Sequence, residues 1–296
     1  MSGYPRYLES SNCPYWPRVV IAAAITCGSL LTGCNSFKLA PPTPEAKAEK
    51  DAALALPGKH SHRVSQFAFL YDFDLKKEVP LFQELGDLRD QIYKELQLPP
   101  AGDKIIQVYL FEDKDRYERF MHAKYPYLPK RRAFFVAQER SVGGQEDLLV
   151  YTYWGDRIRQ DLRHELTHAL LHCVLKDVPL WLDEGLAEYY ELPAEKQGTN
   201  QNHLEQLRRG TGGSFKPDLA RLEGLKEVQQ MTPAEYRESW AWVHLMLRDK
   251  PEAKDALLAF LQQLRNTKEP GFLEPKLTKV YPDLNDALEQ HLADIQ

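Results

Sequence analysis

His164-Glu165-Leu166-Thr167-His168 places two imidazoles four residues apart, with a carboxylate beside the first. On a helix, four residues rise about 6 Å and complete slightly more than one turn, so both rings leave the same face. Two ring nitrogens on one face can hold Zn²⁺, and the adjacent glutamate can serve as general base toward the water that such an ion activates. A hydrolytic zinc site takes a third protein ligand and leaves a fourth position open. A third histidine six residues beyond the second is absent, since that position is Val174, and Leu171 stands where a glycine would accompany it. The third ligand must therefore come from another element.

The elements that must position these residues are legible around them. Residues 157–174 carry Leu162, Leu166, Ala169, Leu170 and Cys173 at helical spacing, which predicts an amphipathic helix. Asp156 is the expected N-cap, and Gly155 explains the break before it. Residues 147–154 (DLLVYTYW) are rich in aromatic and β-branched side chains and predict a strand feeding that helix. Such a strand would fix the two-histidine helix against a sheet, with its ligands facing a cleft.

Downstream runs Pro179-Leu180-Trp181-Leu182-Asp183-Glu184-Gly185-Leu186-Ala187-Glu188-Tyr189-Tyr190-Glu191. HELTH followed by WLDEGLAEYYE resembles the gluzincins, the thermolysin-like (peptidase MA-like) zinc peptidases whose third ligand is a glutamate on the next helix. In their aminopeptidase branch that glutamate sits in a Trp-Leu-x-Glu-Gly-x-Ala segment, matched here by Trp181 to Ala187. A nearer resemblance is to an uncharacterised bacterial family of peptidase-like domains, extending from a strand near residue 66 to the helix around Tyr236. The resemblance implies zinc ligands His164, His168 and Glu184, with Glu165 as the base. Fifteen residues intervene between His168 and Glu184, fewer than in the better-known gluzincins, whereas Glu188 meets the usual spacing. The flanking match favours Glu184. It leaves Glu188, one turn further on, to hold a zinc histidine by its other ring nitrogen.

Gluzincins also commonly supply a Tyr or His donor to the developing oxyanion from a helix beyond the third ligand. Thr232-Pro233-Ala234-Glu235 is a capping box with proline at the first helical position, and it opens a helix to about Asp249. Tyr236, Trp240 and His244 share one face of that helix; Tyr236 is the expected donor and His244 the second choice. His172 extends the histidine series along the zinc helix, about 12 Å from His164, too far to join as a ligand. A polar contact near the helix end is its expected role. Cys173 lies off the histidine face and is expected as a small buried hydrophobe.

The N-terminus carries a second signal. Residues 19–31 form an apolar run behind Arg18, closed by Leu31-Thr32-Gly33-Cys34. This resembles the lipobox of bacterial lipoproteins and implies cleavage before Cys34, which would carry the lipid. The expectation is therefore a signal peptide over 1–33, a tether over 34–62 with a helical tendency around 45–56, and an envelope location on the far side of the membrane. The tether is rich in Pro, Ala, Lys and Glu. Removing the leader would leave Cys173 as the sole unmodified thiol, so no intramolecular disulfide is expected. The net charge of −5 gives no reason to expect nucleic acid as a partner. A monomer acting on a peptide or protein substrate is expected.

Strands are predicted over 66–73, 104–111, 132–138 and 147–154, with helices over 79–96 and 113–123 before the zinc helix. After Pro193 the chain reads as helical, with helices opening at Thr232 and Pro251 and a last one over 284–295. The expected architecture is α+β and zincin-like. A small mixed sheet with its helices occupies 63–175, a mainly helical lobe occupies 176–296, and zinc lies between them. The strand over 132–138 is the candidate edge for β-addition of substrate. Two rival readings remain open: a zinc-holding module that hydrolyses nothing, and a metal-free structural lipoprotein. Intact Glu165 argues against the first, because a purely structural site has no use for it.

Overall fold

A computed structural model describes residues 43–75, 80–139, 146–175, 177–210, 215–267 and 270–295. Cys34 and the expected signal segment lie outside the described residues. The fold is mixed α+β. Its five strands are β1 (His60–Val64), β2 (Phe67–Tyr71), β3 (Ile106–Phe111), β4 (Ala133–Glu139) and β5 (Glu146–Tyr153), ordered β1-β2-β3-β5-β4 in one open sheet. β2, β3 and β5 run parallel, while β1 and β4 pair antiparallel at the two ends.

β1 was not expected. Its sequence, HSHRV, has no alternating apolar face, and the strand stays largely exposed. It forms by closing a tight hairpin onto β2 through Ser65, which adopts φ 54°. The folded chain thus begins before residue 63, because Asp72 accepts the backbone N–H groups of Gly58 (2.7 Å) and Lys59 (2.8 Å). The stretch read as tether contains helix α1 (Pro44–Ala53), which packs against α3 (Lys114–Lys124). The other expected strands and helices stand within a few residues of their predicted bounds.

Both faces of the sheet are covered, as parallel strands require. Strand alternation sends Phe135 and Val150 to one side and Tyr109 and Tyr151 to the other. Phe120 of α3 packs its ring on Tyr151, whereas Phe135 stacks on His168 of α4 (Ile158–Val174). Helix α2 (Pro80–Glu95) packs beside α4.

The remaining helices are α5 (Leu180–Tyr190), α6 (Gln201–Gly210), α7 (Leu219–Glu223), α8 (Pro233–Arg248), α9 (Pro251–Asn266), α10 (Glu274–Leu277) and α11 (Leu284–Asp294). The α8 capping box forms as expected, with Thr232 accepting from Ala234 N and Glu235 accepting from Thr232 N. One continuous cluster of buried apolar side chains runs from Phe67 through the α4 region to Leu292, so the sheet and the helical lobe share a core. No described helix is long and apolar enough to cross a membrane.

Candidate metal centre

α4 is buried almost around its whole circumference, with His164, Glu165 and His168 each at most 5% exposed. Its N-terminus departs from expectation. Arg157, not Asp156, occupies the cap position and offers no side-chain cap bond. Asp156 is instead drawn to Arg132 (3.1 Å), which also reaches Asp161 of α4 (2.9 Å) and the Tyr153 hydroxyl (2.9 Å). Arg132 thereby ties the start of the edge strand β4 to the first turn of α4.

α4 ends at Val174 and α5 begins at Leu180, with Asp177 in the left-handed region (φ 36°) between them. That short turn folds α5 back against α4. Buried Arg163 then clamps the far end of α5, donating to Tyr190 O (3.0 Å), Leu192 O (2.5 Å) and Glu84 (3.2 Å). A guanidinium against the last carbonyls of a helix satisfies acceptors that have no partner within it.

This hairpin brings the three expected ligands together. His164 Nε2 and His168 Nε2 are 3.3 Å apart, and Glu184 Oε2 lies 3.7 Å and 3.6 Å from them. Ligand atoms bound tetrahedrally to one zinc ion stand roughly 3.3–3.5 Å from each other. The three edges are therefore close to one face of such a polyhedron.

The outer nitrogens of both rings are held by carboxylates. His164 Nδ1 lies 3.2 Å from Glu191 Oε2, whose other oxygen accepts from Gln160 (2.7 Å); His168 Nδ1 lies 3.1 Å from Asp183 Oδ2. A carboxylate at Nδ1 favours the proton there and leaves a lone pair on Nε2. Two such lone pairs 3.3 Å apart, facing a buried carboxylate, suit a cation between them. Glu184 Oε2 and Glu165 Oε2 are both buried without a hydrogen-bond partner, as two groups awaiting an ion and a water would be. The donor set and its orphaned oxygens fit a divalent metal.

The carboxylate at His164 Nδ1 is that of Glu191, not that of Glu188. Glu188 accepts from His203 Nε2 (2.9 Å), although it, Glu191 and His164 also place ligand atoms within 4.8 Å of one another. Asp183 and Glu191 were not singled out in the sequence. The only signal was an acidic run along α5, whose helical phase sets Asp183 and Glu184 on adjacent positions facing the α4 histidines. His172 makes the polar contact expected of it, with Asp183 Oδ2 (3.0 Å). Cys173 is buried as expected, meeting Gln66 Nε2 (3.4 Å), and burial pushes its thiol up to about 11.

The electrostatics favour a cation. Burial pushes the imidazolium of His164 down, but Glu184, Glu191 and Glu188 outweigh it and raise its proton affinity well above the ordinary value. Burial, reinforced by Asp161 and Glu184, raises the Glu165 carboxyl well above the usual range. Burial also raises Glu184.

A cleft of ≈ 550 Å³ opens beside this cluster, with His168, Asp183 and Glu184 on one wall, and Phe135 and Ala137 of β4 and Val228 on others. β4 is an edge of the sheet, as expected of the strand over 132–138. Tyr236 is wholly buried in the first turn of α8 and does not line this cleft. His244 is turned elsewhere: its Nδ1 meets His291 Nε2 (2.8 Å), and its Nε2 meets Thr199 (3.4 Å).

A sequence family described only as a protein of unknown function (DUF1570) matches residues 160–270, a stretch that contains both histidines, Glu165, Glu184 and all of α5 and α8. No curated protein matches the chain. Similarity is thus concentrated on the segment that builds the candidate metal centre.

Proposed function

We propose that this protein is a zinc-dependent peptidase of zincin-like fold, anchored in the bacterial cell envelope outside the cytoplasm by a lipid on Cys34. The observation that carries the reading is the triangle of His164 Nε2, His168 Nε2 and Glu184 Oε2, with edges of 3.3, 3.6 and 3.7 Å, beside the orphaned Oε2 of Glu165. His164, His168 and Glu184 would hold the ion. Zinc held there supplies Lewis acidity, polarising the scissile carbonyl and making water nucleophilic near neutral pH. Glu165 would take the proton from the attacking water and return it to the leaving amine. An extended peptide would add to β4, the outermost strand at that end of the described sheet, whose Phe135 and Ala137 border the cleft. The buried Nδ1 contacts with Glu191 and Asp183 keep both rings aimed at one point.

The test is metal analysis combined with proteolysis. Purified protein should contain about one zinc per chain; His164→Ala, His168→Ala and Glu184→Ala should lose it. Glu165→Gln should keep the metal and lose cleavage of a peptide library. Wild type and Glu165→Gln with equal zinc and no cleavage would leave a metal-binding module without hydrolysis. Wild type without zinc would sink the reading.

A further inference from the structure

His172 lies one turn beyond His168 on α4 and is 6% exposed, yet it stands outside the ligand triangle. Its Nε2 is 3.0 Å from Asp183 Oδ2, and the same oxygen lies 3.1 Å from His168 Nδ1. Asp183 Oδ1 is buried without a hydrogen-bond partner, so both imidazoles share one oxygen of that carboxylate. Across the other side, the Phe135 ring lies nearly parallel to both imidazoles, at 6.5 Å and 12° from His168 and 5.5 Å and 24° from His172. Asp183 therefore has two buried contacts that fix where its Oδ2 sits, and one of them is the ring that must face the metal.

We infer that His172 is a positioning residue for the metal centre: by donating Nε2–H to Asp183 it sets the carboxylate that orients the His168 ring. The inference rests on reading the triangle as a metal site, and it extends the centre to a third histidine that binds no metal. An isolated aspartate on the first turn of α5 could swing between rotamers. A second donor on its accepting oxygen restricts that freedom, and Phe135 restricts rotation of both rings about χ2. A merely satisfied buried histidine would stabilise the protein without changing the metal's surroundings, so the two roles part experimentally.

The experiment measures zinc affinity by chelator competition and the d–d absorption of the cobalt(II)-substituted full chain. Variants are His172→Phe, His172→Gln, Asp183→Ala and the Asp183→Ala/His172→Phe pair. Loss of an outer contact to a ligating histidine weakens metal binding by about 10- to 100-fold. His172→Phe should show a loss in that range and a displaced cobalt band. His172→Gln, which keeps an N–H for Asp183, should recover most of it. In the Asp183→Ala background His172→Phe should add less than about twofold, because the two act as one unit. A folded His172→Phe protein with wild-type zinc affinity and cobalt spectrum overturns the proposal, as does full additivity with Asp183→Ala. Should the Phe variant not fold, His172→Ala is read in the same way. Wild-type protein that binds neither metal would instead overturn the metal reading on which this one stands.

Discussion

Gly185 of α5 approaches Ser239 of α8 so closely that a Cβ at residue 185 would stand 2.6 Å from the Ser239 carbonyl oxygen and 2.9 Å from Val243 Cγ2. Glycine is ordinarily unfavourable inside a helix, and here the close crossing of two backbones requires it. The residue before it is Glu184, so the crossing also sets where the third candidate ligand can reach. Gly185→Ala should push α5 off α8 and cost about 1–3 kcal/mol through overpacking. It should also weaken zinc binding, although no ligand has changed. A thermal melt paired with a zinc titration checks this; a stable variant with wild-type affinity would mean that α5 tolerates the shift.

The order of zinc losses along α5 tests the ligand assignment. Glu184→Ala should abolish binding at micromolar zinc. Glu191→Gln, which loses the carboxylate at His164 Nδ1, should lose about 10- to 100-fold. Glu188→Gln should lose less than Glu191→Gln, since Glu188 accepts from His203 Nε2 at 2.9 Å whereas Glu191 meets His164 Nδ1. A larger effect at Glu188 than at Glu184 would transfer the ligand role by one turn.

Tyr236, the expected oxyanion donor, is wholly buried in the first turn of α8 and does not line the cleft. Tyr236→Phe should therefore leave kcat and zinc content close to wild type. A fall in kcat of about 10²-fold or more with zinc content unchanged would return the phenol to the reaction.

The His244–His291 contact joins α8 to the last helix and makes stability depend on pH. Burial, then His291 and Arg248, pulls His244 down to about 3 from an ordinary 6.5. The unfolded chain therefore takes up the proton first, and the stabilisation is complete above pH 6.5 and is lost as pH falls toward 3. Urea midpoints should decline between pH 6.5 and pH 5 in wild type, and His244→Phe should flatten that decline. Equal slopes in the two proteins would assign the acid sensitivity to other groups.

The anchor is tested through Cys34. Wild type expressed in a bacterium should partition with membranes and incorporate labelled lipid, whereas Cys34→Ser should do neither. Recovery of wild type wholly in the cytosol would remove the lipid anchor and leave the proposed hydrolysis untouched.

Much of this architecture was legible because it is written in local periodicity. The period of α4, the aromatic run of β5 and the capping box of α8 each sit within a few residues of chain, where side-chain spacing dictates structure directly. The pair His164 and His168 needed only a helix to share a face. β1 is not legible in the sequence because HSHRV has no apolar alternation; its strand is imposed by pairing with β2, a tertiary event. The Asp156 cap failed for a similar reason, since Arg132, far away in sequence, competes for the carboxylate.

Which carboxylate meets which imidazole was decided by tertiary structure alone. α5 and the residue that caps it offer Asp183, Glu184, Glu188 and Glu191 within nine positions, and the sequence ranks them only by resemblance. The crossing of α4 and α5 ranks them physically. Arg163 holds the end of α5, Gly185 sets its depth against α8, and the turn at Asp177 sets its start. With those three constraints in place, Glu184 faces both Nε2 atoms, while Asp183 and Glu191 fall to the two Nδ1 atoms. The residue types for a candidate metal site are thus a property of the sequence. Their division between the Nε2 and the Nδ1 atoms of the two imidazoles is a property of how α4 and α5 pack, because only that crossing fixes which carboxylate reaches which nitrogen.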